Sequence, residues 1–362
     1  MTVFGLRVST RLASLLVVLT MLTGPAAAAP ADKPVPAPLT VTPLTVAPLT
    51  VAPVPVPVAP APTKVKVGIF ITQLYDLDMS KRSFSVNYWT WFLHPDATYK
   101  PLDSVEVVNA KTTAIRFPLV TPKDDVLWEG EKTKIFWDQG KYAVTALQDW
   151  DVTNFPFDRQ ILHLQMEDGQ NDATQTVFVA DTENSKVDGS VFVPGWTIES
   201  FKVKARDAVY KTTYGDPTLQ GSSTYSRLTA AITVRRDGLR LLGSMFIGFF
   251  VAFALTCLTY FLDTDWMAGS RVGMCGGAIF ASVGNKYVVD NYLPPVSTFT
   301  LADAIEVSTF MAIIFSILVV VVVKAIKEKR PVAAEWLNGI GFVINCFGYL
   351  TFNGIMITRA AM

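Results

Sequence analysis

The chain is short of cysteine, histidine and charge. Its three cysteines, Cys257, Cys275 and Cys346, all fall inside apolar runs, so no disulfide framework braces a water-facing part, and packing as small apolar residues is their default role. The two histidines, His94 and His163, stand far apart, and no cysteine or histidine spacing of a metal site occurs. Basic and acidic residues balance at 31 each, so no basic field argues for nucleic acid. Phosphate loops and nucleophile motifs are also missing, and Asp124-Asp125 reads as a solvated turn; an enzyme is not expected, nor a cofactor or bound metal. Only 17% of the 362 residues are charged and 50% are hydrophobic, which fits a membrane protein with a sizeable water-facing part.

What is present falls into blocks. Residues 1–29 have the form of a secretory signal: Arg7 and Arg11, an apolar core over 12–22, and four alanines at 26–29. An uncleaved anchor is the alternative. Residues 30–63 are a Pro-rich linker of low complexity, where dense proline excludes helix and ladder and favours extended polyproline II. From 64 to 236 short alternating runs rich in β-branched and aromatic residues recur between turn signals, which predicts an all-β, immunoglobulin-like sandwich.

After Arg240 the character changes. Residues 241–262, 304–323 and 336–357 are apolar runs long enough to span a bilayer. Residues 271–292 have helical length but carry Asn285, Lys286 and several glycines. Charge inside a membrane is costly unless it faces protein or water. This stretch is either a re-entrant or poorly packed glycine helix or a spanning helix walled by others and lining a pore. A four-helix transmembrane domain over 237–358 is expected. The link bearing Lys324, Lys327, Lys329 and Arg330 is expected to be cytoplasmic.

The string Phe155-Pro156-Phe157-Asp158-Arg159-Gln160 stands between polar Gln148-Asp149-Trp150-Asp151 and the alternating run 161–166. Proline between two aromatics suits a tight turn that presents the following acid, and an ordinary aromatic-stapled hairpin accounts for it too. The string also resembles the signature loop of the pentameric ligand-gated ion channels, the Cys-loop receptor superfamily. Gln148 and Leu162 stand where that loop is often closed by cysteines, so the resemblance is to the bacterial branch. Residues 69–78, Asn109-Ala110, 195–201 and Val234-Arg235-Arg236 continue it. His94 and residues 104–107 depart from it, where tryptophans near the agonist pocket are usual.

The resemblance implies a homopentameric ring in the bacterial inner membrane, with the sandwich in the periplasm. Its function would be a ligand-gated channel for small ions, with an unknown small molecule or the proton as ligand. A non-conducting receptor that keeps the architecture is the alternative. Ser270, Gly273, Gly277, Phe280, Gly284, Tyr287 and Asn291 share one helical stripe. They either line the pore or form a close-packing face, since small residues serve both. The resemblance favours the pore, with Phe280 as its hydrophobic constriction. Asp263, Asp265 and Asp290 would favour cations, and Arg271 and Lys286 would oppose them unless turned away. A hairpin between Lys204 and Tyr225 offers Tyr210 and Tyr214 to a ligand. Asp78, Phe155, Pro156, Phe157, Asp158, Arg235 and Pro294 are expected to couple the two domains, with Arg235 holding the carboxylates of Asp78 and Asp158.

Overall fold

The computed structural model describes residues 61–217, 220–262, 267–295 and 297–362. The signal at 1–29 and most of the linker at 30–63, as well as Asp263 and Asp265, lie outside the described residues.

Two sheets make the first part of the molecule. Strands β1 (Thr63–Asp78), β2 (Ser83–His94), β4 (Ala110–Trp128), β5 (Glu131–Leu147) and β7 (Thr176–Ala180) order as β4-β5-β2-β1-β7, with β8 (Lys186–Val187) also on β1. The second sheet runs β3 (Val105–Val107), β6 (Arg159–Asp168), β10 (Ser223–Arg236), β9 (Trp196–Tyr210). Period-two patterning builds the core between them. Val65, Val67, Ile69 and Ile71 of β1 face Leu228, Ala230, Ile232 and Val234 of β10 across one buried cluster that also holds Leu162, Leu164 and Met166. A one-turn helix, α1 (Pro101–Ser104), leads into β3.

Strand β4 lies at the sheet's edge. It pairs with β5 through three register shifts, and its side chains are almost all exposed. Its run Ile115-Arg116-Phe117-Pro118-Leu119 alternates, but a proline interrupts it and these side chains stay exposed.

Arg236 ends the sandwich and Gly238 begins the helices. Helices α2 (Gly238–Met245) and α3 (Ile247–Thr259) form one apolar path bent by 54° at Phe246, where a single span was expected. The break frees the amide of Gly248, which donates to Asn285 Oδ1 at 3.1 Å. A side chain accepting from a freed ladder amide is a recognised cause of a kink. Helices α4 (Ala268–Tyr292), α5 (Leu301–Lys327) and α6 (Pro331–Ala361) follow. Thr300 and Asp303 close a capping box on α5, and Pro331 opens α6 at a position that needs no amide. Among the described residues, α5 and α6 are long and apolar enough to cross a membrane, and the α2–α3 pair counts as a third span if taken together. Helix α4 does not meet that test of composition.

Asparagines fasten α6 to its neighbours. Asn345 donates to the Ala312 carbonyl and to Tyr260 Oη, Asn353 exchanges hydrogen bonds with Ser308, and Asn338 donates to the Tyr260 carbonyl. Without water to compete, such bonds hold helices that apolar surface alone does not select.

Candidate functional site

The 148–162 loop sits at the seam between sandwich and helices. Its Phe155–Pro156 peptide is cis. Phe155 is fully buried, with its ring 6.2 Å from Phe246 at the α2–α3 bend and 5.7 Å from Tyr292 at the end of α4. The Thr153 carbonyl accepts from the Leu301 amide that opens α5, at 2.9 Å. Pro156 and Phe157 lie against Gly238. A Cβ there would stand 2.5 Å from the Phe157 ring and 2.6 Å from the Pro156 carbonyl oxygen, so only glycine permits this approach. Gly238→Ala is expected to lower stability by about 1–3 kcal/mol through overpacking. The thermal unfolding midpoint of the solubilised protein checks this, and an unchanged midpoint would contradict it.

The ion pair at this seam is not the expected one. Asp158 is buried and its fork partner is Arg236: Nε donates to Oδ1 at 2.7 Å and Nη2 to Oδ2 at 3.3 Å. Gln160 Nε2 adds a third bond to Oδ2 at 2.8 Å. The guanidinium lies 3.9 Å from the Trp196 ring centre and also faces Phe155 and Tyr292. It reaches Met79 Sδ at 2.6 Å and Tyr292 Oη at 3.2 Å, so one side chain touches the β1–β2 turn, the 148–162 loop, β9 and α4.

Arg235 is turned the other way, half-exposed, and pairs with Glu199 at 2.8 Å. One step along a strand reverses the face, which is why the neighbour takes the role. Asp78 is not in the cluster either. Its oxygens accept from Ser80 Oγ, the Lys81 amide and Lys81 Nζ, so it closes its own turn. The Lys81 ammonium holds the Asp78 carboxyl down to about 2. Pro294 is buried in the α4–α5 link.

On α4, Ala268, Arg271, Cys275, Ala278, Ser282 and Val289 are buried at steps of three, four and seven. Ser270, Gly273, Gly277, Phe280, Gly284, Tyr287 and Asn291 all lie on the exposed side of the helix, with Phe280 82% accessible. Among the described residues, nothing beyond the local backbone lies within 4 Å of where a Cβ would stand on Gly273, Gly277 or Gly284. Both bases of α4 turn toward other helices. Arg271 is fully buried, donates to Asn338 Oδ1 at 2.8 Å and faces the Tyr260 ring. Lys286 Nζ lies 2.7 Å from Glu306 Oε2 on α5 and 3.4 Å from Asp290.

At the hairpin joining β9 to β10, Tyr210 and Tyr214 come together with Tyr225, which the sequence reading did not select. Their ring centres are 5.9–6.4 Å apart, edge to face. Tyr214 and Gly215 take positive φ at the turn. Tyr210 Oη donates to Glu167 Oε2 at 2.9 Å and accepts from Arg227 Nη2 at 2.6 Å. Burial and then the Glu167 carboxylate raise the Tyr210 phenol above its ordinary range, so it stays a neutral donor. Tyr210 already faces the Arg227 guanidinium at 5.8 Å, which leaves Tyr214 and Tyr225 as rings that can present a face to a cation.

A two-sheet sandwich whose last strand runs into a helix bundle, with an aromatic loop wedged at the seam, is the build that the resemblance to the bacterial pentameric ligand-gated channels implies. No family model matches the chain. Over 292 residues it is 22% identical to the proton-gated ion channel of Gloeobacter violaceus, covering 75% of this chain and 76% of that protein. The chain is a distant relative of that channel, and the resemblance extends far beyond the signature loop.

Proposed function

We propose that the protein is a ligand-gated ion channel of the bacterial inner membrane. Five copies form a ring, their sandwiches lie in the periplasm, and α4 from each copy walls a pore for small ions, cations by preference. The observation that carries this reading is α4: a helix too polar for lipid, packed on one stripe against its own chain and open on another. Arg271 and Lys286, the bases that would repel cations, both point into helix neighbours. The bases from Lys324 to Arg330 support a cytoplasmic α5–α6 link. The name of the relative supports the proton as a stimulus, and the Tyr210–Tyr214–Tyr225 cluster supports a small cationic or amphipathic ligand.

Five Phe280 rings form the closed gate by excluding water from a narrow apolar ring. Single-channel recording of the purified protein in bilayers, with pH stepped from neutral to acid, tests the function. Phe280→Ala is expected to leak at rest where the parent is silent. Absence of current from both proteins under every pH and voltage would favour the non-conducting receptor. Cysteines at 277 and 280 that water-borne thiol reagents never reach would remove this stripe from the pore.

A further inference from the structure

The outward face of the second sheet carries a charge pattern that neither the seam nor the tyrosine hairpin uses. The outward residues at the middle of β10 are Thr229, Ala231 and Thr233, all short. On β9, Lys204 stands beside Thr229 and Lys202 beside Ala231, with Gln165 and His163 in the same rows on β6. The result is a shallow trough. Its floor is methyl and hydroxyl, one wall is lysine and the other is polar. Arg206 continues the basic wall.

Lys202, Lys204 and Arg206 are exposed, and none forms an ion pair among the described residues. The acids of this face stand at its two ends. Glu199 is held between Arg159 and Arg235 near the seam. At the far end Glu167, with Glu106 beside it, is taken by Arg227. Those carboxylates close the trough to an anion before it reaches the tyrosine hairpin. Successive residues on one face of a strand are about 7 Å apart, so the three bases form a row of fixed positive charge roughly 14 Å long.

Geometry narrows the occupant. Strand β9 is the last of its sheet, and lysines on an edge strand discourage pairing with another strand, so a partner lies on the face rather than along the edge. Lipid headgroups are too far: Lys204 is level with Thr229, which extended chain places about 24 Å from Arg236 at the seam. Nucleic acid asks for aromatic platforms, and the outward residues between Glu199 and Glu167 include no Phe, Tyr or Trp. We propose that the trough binds an extended acidic polysaccharide. Its anionic groups meet Lys202, Lys204 and Arg206, and its hydroxyls exchange hydrogen bonds with the Thr229 hydroxyl and the Gln165 amide. This site stands whether or not the protein conducts.

The probe is a short oligogalacturonate, with maltodextrin of equal length as the uncharged control and an oligodeoxynucleotide of equal charge as the second. Titrated against the full-length protein in nanodiscs of zwitterionic lipid, the oligogalacturonate should bind saturably and lose affinity as salt rises, and maltodextrin should not bind. Combining Lys202→Gln, Lys204→Gln and Arg206→Gln should weaken binding about thirtyfold, roughly threefold for each exposed contact, with the unfolding midpoint unchanged. Lys202→Arg with Lys204→Arg keeps the charge and should keep the binding. Combining Lys111→Gln, Lys132→Gln and Lys134→Gln, exposed positions of the other sheet, removes as much charge and should change affinity no more than about twofold. No saturable binding, equal losses in the two triple variants, or an oligodeoxynucleotide that binds as tightly would overturn the proposal.

Discussion

Asp158→Asn and Arg236→Gln are each expected to cost about 3–5 kcal/mol, because each strands a buried charge that has lost its fork partner. The double variant is expected to cost little more than either single one, since no unpaired charge then remains. Arg235→Gln, at a half-exposed pair, should cost no more than about 1 kcal/mol. Yield and thermal midpoint of the solubilised assembly give the stability arm, and half-activating stimulus gives the gating arm. The guanidinium is stacked on Trp196, hydrogen-bonded to Tyr292 of α4 and locked to the loop tip. Lysine cannot supply both the fork and the planar stack, so Arg236→Lys should behave nearly as badly as Arg236→Gln. Strict additivity of Asp158→Asn and Arg236→Gln in both arms would mean that the pair does not act as a unit.

The placing of this pair shows what the sequence carries. Leu228, Ala230, Ile232 and Val234 are the inward residues of β10, so parity alone assigns Arg236 to the core and Arg235 to solvent. The signal was present, and choosing between adjacent arginines needed only the period of two. The sandwich core was legible for the same reason. Strand β4 was not, because Pro118 breaks its one alternating run and its apolar side chains stay exposed.

The bend at Phe246 has no proline to announce it, and Gly248, whose freed amide meets Asn285, is one glycine among many in the helices. The support of the bend, Asn285, comes from another helix, which the local sequence does not reveal. Tyr225, Glu167 and Arg227 join Tyr210 only through strand pairing, whereas Tyr210 and Tyr214 stand near each other in the chain. The acid that answers Lys286 was hidden likewise, since Glu306 lies twenty residues on, across a turn between helices.

Glu306→Gln is expected to turn the ion preference away from cations. On the channel reading, Lys286 stands beside the pore stripe of α4, one residue before Tyr287, and is 38% exposed. Glu306 is largely buried behind it and supplies the close counter-charge, while Asp290 is farther away and more exposed. Removing that carboxylate leaves a ring of lysines only weakly compensated. At an effective dielectric near 20, a bare lysine about 8 Å from a passing cation costs it about 2 kcal/mol. That is roughly a thirtyfold loss of occupancy at that depth. Residual screening by Asp290 reduces the effect without changing its sign. In dilution experiments the reversal potential of Glu306→Gln should move toward that of chloride, and adding Lys286→Gln should return it. Salt concentration sets the size of the shift, because these groups are partly solvated and a Debye length at physiological ionic strength is about 8 Å. A reversal potential that ignores Glu306→Gln would place Lys286 out of reach of the conduction path, and α4 would then have to be turned about its axis from the stripe assigned to it.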